Sequence, residues 1–314
     1  MSSLVAGVST FKSVLADHLR QLDRFATRRG AAKLKGVYDQ AQADVIRRLE
    51  ALGRGSSTFT AHHLRMMAIQ IRQGQMRMAA KLADELGDLT KEVQVESLNT
   101  LIKSVVKLEK HFTGAAPELP IEEVARFKGV IDKKKTSLMR MHRTSMSHYG
   151  ARMVGKMENQ LAVSLASGET LDGAVGRVHE VAGGEFWQCA RIARTECSWA
   201  WNMTHRDGIV EVAKSVSGLW QRWTELVSDD GSPLDNRVGI DSMALHGEVC
   251  RPGAMFTCPS TTRDGQLVPK GLAGLKFEAP PSRPNDRAVI VPWKPDWGIP
   301  GWELKGGQRV PVTR

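Results

Sequence analysis

The sequence predicts an α+β protein, with a long, mostly helical N-terminal region followed by a small β-rich C-terminal domain. Two observations predict it. Up to about residue 216, apolar residues recur at intervals of three and four, the period of a helix face. Beyond Ser217 those stripes vanish and Gly, Pro and Trp become frequent, and all eight Trp lie between Trp187 and Trp302.

The helical elements follow in chain order. Leu34, Tyr38, Ala41, Val45, Leu49 and Leu52 form one face, which Gly53, Gly55, Ser56 and Ser57 break. Leu64, Met67, Ile71, Met78 and Leu82 form the next, in a rhythm that suits long helices packed side by side. Gly87 is the expected stop, and Val95, Leu98, Ile102 and Val105 belong to a further helix. Gly114 to Pro120 is a loop by composition. Helical spacing resumes at Ile121 and runs through Val124, Ile131, Leu138, Met141, Met153, Met157, Leu161 and Leu165. After Ser167-Gly168, Thr170 caps a short helix carrying Leu171, Val175 and Val178. Gly183-Gly184 separates it from a last helix, roughly residues 185–213.

The C-terminal part reads as short strands and long loops. Leu219 to Trp223 alternates like a half-buried strand, and Ser228 to Pro233 makes a turn after it. Val289, Val291 and Trp293 alternate before Pro295. The chain therefore divides into a helical region 1–165, a module 166–296 and an extended tail 297–314. Trp220, Trp223, Phe256, Phe277 and Trp293 are the expected second core, because short strands need large apolar contacts.

The net charge of +10 is uneven: residues 1–216 hold 32 Lys+Arg against 23 Asp+Glu, residues 217–314 hold 12 against 11. A positive field on the helical part favours polyanions, and Lys133, Lys134 and Lys135 are the candidate contacts for DNA. No stretch approaches the roughly 20 apolar residues of a membrane span, and the N-terminus does not read as a secretory signal. Four Cys in a chain this long do not suggest a disulfide scaffold, so thiols are expected.

Three groups invite enzymatic chemistry. His246, Glu248, Cys250 and Cys258 contain the H-x-E of zinc deaminases but lack P-C-x-x-C, and a zinc site there has no clear fourth ligand. Asp229, Asp230, Asp235 and Asp241 lack the spacing of a calcium loop and sit beside turn residues. Glu196 with Arg194 could supply an acid and an anion clamp, but helical Arg and Glu more often fix a helix to its neighbour. Phosphate-cradling Gly-rich loops, G-x-S-x-G and H-E-x-x-H are absent. No metal and no cofactor is expected.

The order of motifs resembles the phage Mu F-like minor head, or head-morphogenesis, family. Ile192-Ala193-Arg194-Thr195-Glu196 with Ala200 and Asn202 resembles its "ARTE…A-x-N" helix. A strand with Trp220 or Trp223 follows, then Asp235-Asn236-Arg237-Val238, similar to "D-x-R-T". Leu245-His246-Gly247 resembles "L-x-G", and Pro280 to Arg287, with Pro284, Asn285 and Arg287, resembles "PP-x-x-PN-C-R-C". The agreement in order spans about residues 165–293. Where the family often carries a His or Cys before the "L-x-G" and two Cys around the final Arg, this chain has Ser242, Asp286 and Ala288.

The resemblance implies a virion protein, portal- and capsid-associated, acting in head assembly or in packaged-DNA handling and ejection. The implied partners are the portal protein, the major capsid or scaffolding protein and double-stranded DNA bound without sequence preference. The implied location is the head interior or portal vertex, with the host cytoplasm during assembly. Arg194, Thr195, Glu196, Asn202, Asp235, Arg237, Gly247, Pro284, Asn285 and Arg287 are then structural, with Arg194 and Glu196 expected to pin their helix to the loop of Asp235 and Arg237. The alternative is an enzyme, a hydrolase or transferase, using the Arg194, Glu196 and Asp235 region.

Overall fold

A computed structural model describes residues 2–53, 58–117, 121–225, 238–283, 286–297 and 299–312, with backbone only at 2–8, 53, 121–128, 130 and 133. The fold is α+β, as the sequence predicts. Helices α1 (Ser2–Asp23), α2 (Gly30–Gly53), α3 (Ala61–Thr113), α4 (Ile121–Ala166), α5 (Leu171–Gly184) and α6 (Phe186–Val212) precede the strands, and a π-helical turn, Arg24–Arg29, joins α1 to α2. Then come β1 (Trp220–Thr224), the short α7 (Ile240–Leu245), β2 (Val249–Cys250), β3 (Phe256–Thr257), β4 (Lys276–Phe277), β5 (Val289–Trp293), β6 (Trp302–Lys305) and β7 (Gln308–Pro311). Among the described residues no helix is long and apolar enough to cross a membrane.

The chain forms two compact units that do not follow chain order: Met1–Ala26, Thr90–Lys135 and Thr195–Arg314 make the first, Thr27–Leu89 and Thr136–Arg194 the second. Helices α3, α4 and α6 each give residues to both.

The second unit is helical. Leu34, Tyr38, Val45 and Leu49 of α2 are buried with Met67, Ile71, Met78 and Leu82 of α3, the two stripes read from the sequence. Its core also holds a polar pair: the Gln75 amide donates to Gln42 Oε1 at 3.0 Å and receives the reverse bond at 3.4 Å. Two buried amides that satisfy each other avoid the cost of an orphaned polar group. Thr170 caps α5 as expected, accepting the Gly173 N–H at 3.2 Å. Gly87 does not stop a helix, which is a correction: α3 runs through it to Thr113. A Cβ there would lie 2.3 Å from the Met139 sulfur of α4, so this glycine lets two helices approach.

The first unit contains the sheet, in the order β2-β1-β5 with both pairings antiparallel. β1 is buried along its whole length, not half-buried as its alternation suggests. Gln221 makes this possible by donating to the Ala254 carbonyl at 2.7 Å, and Arg222 by donating to Thr224 Oγ1 at 2.8 Å. Trp220, Trp223, Phe256 and Trp293 form the expected core, with Phe277 part-exposed and its ring 6.1 Å from that of Trp223. Within the stretch expected as an extended tail, residues 302–311 fold instead as the β6–β7 hairpin, closed by Gly306 and Gly307 at φ 57° and 81°. Only glycine takes two successive positive φ values without strain, which is what a tight hairpin turn requires.

His18 of α1 and His205 of α6 lie in the helical core of the same unit, ring centroids 4.6 Å apart and both fully buried. Ser104 gives its proton to the Thr100 carbonyl (2.6 Å), so its oxygen accepts from His18 Nε2 (2.8 Å). Ser97 gives its proton to the Trp201 carbonyl (2.8 Å) and likewise accepts from His205 Nδ1 (3.2 Å). These bonds fix one neutral tautomer for each ring. Burial lowers His18 to about 3 and holds His205 well below its usual 6.5, with His18 as a second cause there. The unfolded chain takes up protons below 6.5 that the folded chain refuses, so stability is full above that pH and falls as pH drops toward 3. Denaturant unfolding between pH 6.5 and 5 is expected to lose stability at up to about 1.4 kcal/mol per pH unit for each such histidine. A stability that stays level or rises across that window contradicts a neutral histidine core.

Candidate functional site

The described motif positions of the first unit lie around the sheet, Asn202 at its β5 edge and Gly247 on the β2 side. β5 is an outer strand, and an outer strand presents unpaired backbone groups that natural proteins must cover. Asn202, fully buried on α6, covers them. Its Nδ2 donates to the Ala288 carbonyl at 3.1 Å and its Oδ1 accepts the Ile290 N–H at 2.8 Å. One side-chain amide thus binds the two groups that the peptide unit of a neighbouring strand would bind. Nδ2 also donates to the Ser198 carbonyl at 3.0 Å, which fixes its direction.

The chain leading into β5 is held by Asp286. Its Oδ1 accepts the Ala288 N–H at 3.0 Å and the Ser242 hydroxyl at 3.1 Å, and its Oδ2 accepts the Ser282 N–H at 2.7 Å and hydroxyl at 3.0 Å. The Ser282 hydroxyl also lies 2.7 Å from Asp241 and the Ser242 hydroxyl beside Glu225, so each shares its single proton between two carboxylates. Ser242, Asp286 and Ala288 are the three positions at which the resembled family often has soft ligands. Here they meet through hydrogen bonds.

Gly247 sits between β1 and the C-terminal hairpin. Its N–H donates to the Trp223 carbonyl at 2.7 Å and its carbonyl accepts the Trp302 N–H at 3.1 Å. Its φ is +83°, and a Cβ would fall 1.6 Å from an Arg263 nitrogen and 3.1 Å from the Trp302 ring. Both the backbone and the space therefore exclude any other residue.

The other expected positions are placed as follows. Arg194 and Thr195 are half-buried on α6 and Glu196 is buried, with Arg194 the last residue of the second unit. Arg287 is half-buried in the coil before β5. Asp235, Arg237, Pro284 and Asn285 lie outside the described residues, so the expected pairing of Arg194 and Glu196 with that loop falls there too. Of the basic cluster on α4, Lys134 is 3.0 Å from the Asp207 carboxylate and Lys135 is exposed; the Lys133 side chain is outside the described residues. One of the three charges is thus already balanced within the fold.

Of the metal-like groups, Asp229 and Asp230, like Asp235, lie outside the described residues, and the one around His246 is bound otherwise. His246 Nδ1 accepts the Glu225 N–H at 3.0 Å, and the Cys250 sulfur lies 3.0 Å from the Gln221 amide. All four Cys are free thiols, and among the described residues no three His, Cys, Asp or Glu are grouped to hold a metal ion. Two clefts of about 540 and 500 Å³ lie in the second unit, and no motif residue lines either. The sequence reading missed Asp286 and Ser242 as structural centres, because it took them only as departures from a pattern of soft ligands. Comparison with protein-family models, curated proteins and solved structures gives no match.

Replacing Asn202 with Ala leaves the Ile290 N–H and the Ala288 carbonyl without their partner. The expected cost is about 1–3 kcal/mol, beyond the effect of the cavity. Amide exchange at Ile290 is expected to accelerate more than at Val289 and Val291. Exchange at Ile290 that matches the parent protein removes the edge-covering role.

Proposed function

We propose that the protein is a minor head, or head-morphogenesis, protein of a bacteriophage, similar to the Mu F-like family, and a structural component with no catalytic role. The observation that supports this best is the work of the motif residues. Asn202 covers the sheet edge, Gly247 admits Arg263 and Trp302, and the Ser242 and Asp286 positions tie α7 to the chain before β5. Each holds backbone in place through ordinary hydrogen bonding or close packing, and such positions define a scaffold.

On this reading the partners are the portal protein and the major capsid or scaffolding protein. Packaged double-stranded DNA is met through phosphate neutralisation, which needs no base-reading motif. The protein resides in the head interior or at the portal vertex.

Mass spectrometry of purified virions from a phage carrying this gene tests the reading. The chain is expected in mature particles, at low copy relative to the major capsid protein. Particles that assemble, package DNA and infect without the chain or its gene contradict it.

A further inference from the structure

The stretch His246–Val249 gathers three arginines from distant parts of the chain. Arg263 donates to the His246 carbonyl at 2.6 Å. Arg309 of β7 lies 2.6 Å from Glu248 Oε1 and also donates to the Ala244 carbonyl. Arg222 of β1 pairs across the sheet with Val249. The hairpin segment brings two of them together again: Arg222 Nε reaches the Pro300 carbonyl at 3.4 Å, and the Arg263 guanidinium lies 3.7 Å from the Trp302 ring centroid.

The charges at this place do not balance. Glu248 is the carboxylate that meets them, and it is bound to Arg309. Glu303 on the same hairpin is already 3.0 Å from Lys305. Arg222 is 5% exposed, and among the described residues no carboxylate lies within ion-pair distance of it. Burial, and then Arg263, lower Arg222 to about 9, so it stays charged at neutral pH. The same two arginines, after burial, hold His246 low and therefore neutral. A buried guanidinium without a counter-charge is costly, and an anion nearby offsets that cost.

Donors remain open on two of these arginines. Arg263 is solvent-exposed, and its Nε and Nη1 have no protein partner among the described residues. Arg309 is half-buried, with Nη1 open in the same sense. Trp302 stacks on the Arg263 guanidinium and the His246 carbonyl holds one of its nitrogens, so the fork is oriented before any ligand arrives. Oriented guanidinium forks suit tetrahedral oxyanions, which accept paired N–H bonds.

We propose that Arg263 and Arg309, backed by the buried Arg222, form a binding site for a phosphate group. The phosphate comes either from a nucleic-acid backbone or from free phosphate. The site does not depend on the virion reading, since binding is measured on the isolated full chain.

Titration of the full chain with inorganic phosphate in low-salt buffer is expected to shift the Arg263 Nε–H resonance. Arg263→Gln keeps a donor for the His246 carbonyl but removes the charge, and is expected to weaken phosphate binding by about tenfold or more. Lys81→Gln, on an exposed lysine of α3, is expected to leave it unchanged. A short DNA duplex identifies the source. If it competes with phosphate and is weakened by Arg263→Gln, the ligand is the nucleic-acid backbone; if it binds that variant normally, the ligand is free phosphate. Either pattern supports the site. The proposal is overturned if phosphate leaves the Arg263 resonance of the unaltered chain unmoved, or if folded Arg263→Gln binds phosphate as the parent does.

Discussion

The first unit depends on how one buried amide completes a sheet edge. A three-stranded sheet with an apolar outer strand is marginal alone and invites pairing with other chains. Asn202 removes both problems, because its carboxamide presents to β5 one donor and one acceptor in the spacing of a peptide group. It also joins α6 to β5 by bonds that depend on direction as well as burial. Leu or Val at this position would bury apolar surface but leave the Ile290 N–H and Ala288 carbonyl orphaned. The tight packing around Trp223 and Trp293 is built on a strand fixed in this way.

The groups around Asp286 carry the same logic to the strand's entrance. One carboxylate accepts from two backbone N–H groups and lies within hydrogen-bond distance of two hydroxyls, so α7 and the chain before β5 meet at one side chain. Metal ligands or a disulfide at the same three places would achieve a similar tie by other chemistry. This chain uses hydrogen bonds, and gives up the stability of a covalent or metal link for one that needs neither redox state nor ion. The scaffold reading of the protein rests on side chains that fix backbone through hydrogen bonds of this kind.

Much of the fold was legible in the sequence. Most described stripe residues lie on buried faces, with Val95 exposed, Thr170 caps α5, α6 falls within a residue of its expected limits, and the change of texture near 214–218 is the turn between α6 and β1. The misreadings have physical causes. Gly87 reads as a helix stop because glycine disfavours helix, yet the close approach of α4 outweighs that penalty. Gln221 and Arg222 read as solvent-facing because polar residues usually are, and only their partners, the Ala254 carbonyl for Gln221 and Thr224 with the Pro300 carbonyl for Arg222, make burial tolerable. The C-terminal hairpin was hidden by the two prolines and four glycines of residues 297–314, which look like tail composition until Gly306 and Gly307 are seen to form the turn. The candidate site was legible at Asn202 and Gly247 through motif order. The arginine group was not, since Arg222, Arg263 and Arg309 share no local spacing and meet only through the sheet and hairpin.

The central claim is that the motif residues hold a scaffold together and do no chemistry. Glu196 tests it most directly, because it is the buried carboxylate that a catalytic account would choose first. Glu196→Gln preserves shape while removing the charge. Its melting curve is to be measured beside complementation of a phage lacking the gene. The scaffold account predicts that infectivity falls only as far as thermal stability falls, so that a variant with near-parental melting assembles infectious heads. A Glu196→Gln protein that melts like the parent, enters particles and still fails to support infection contradicts it.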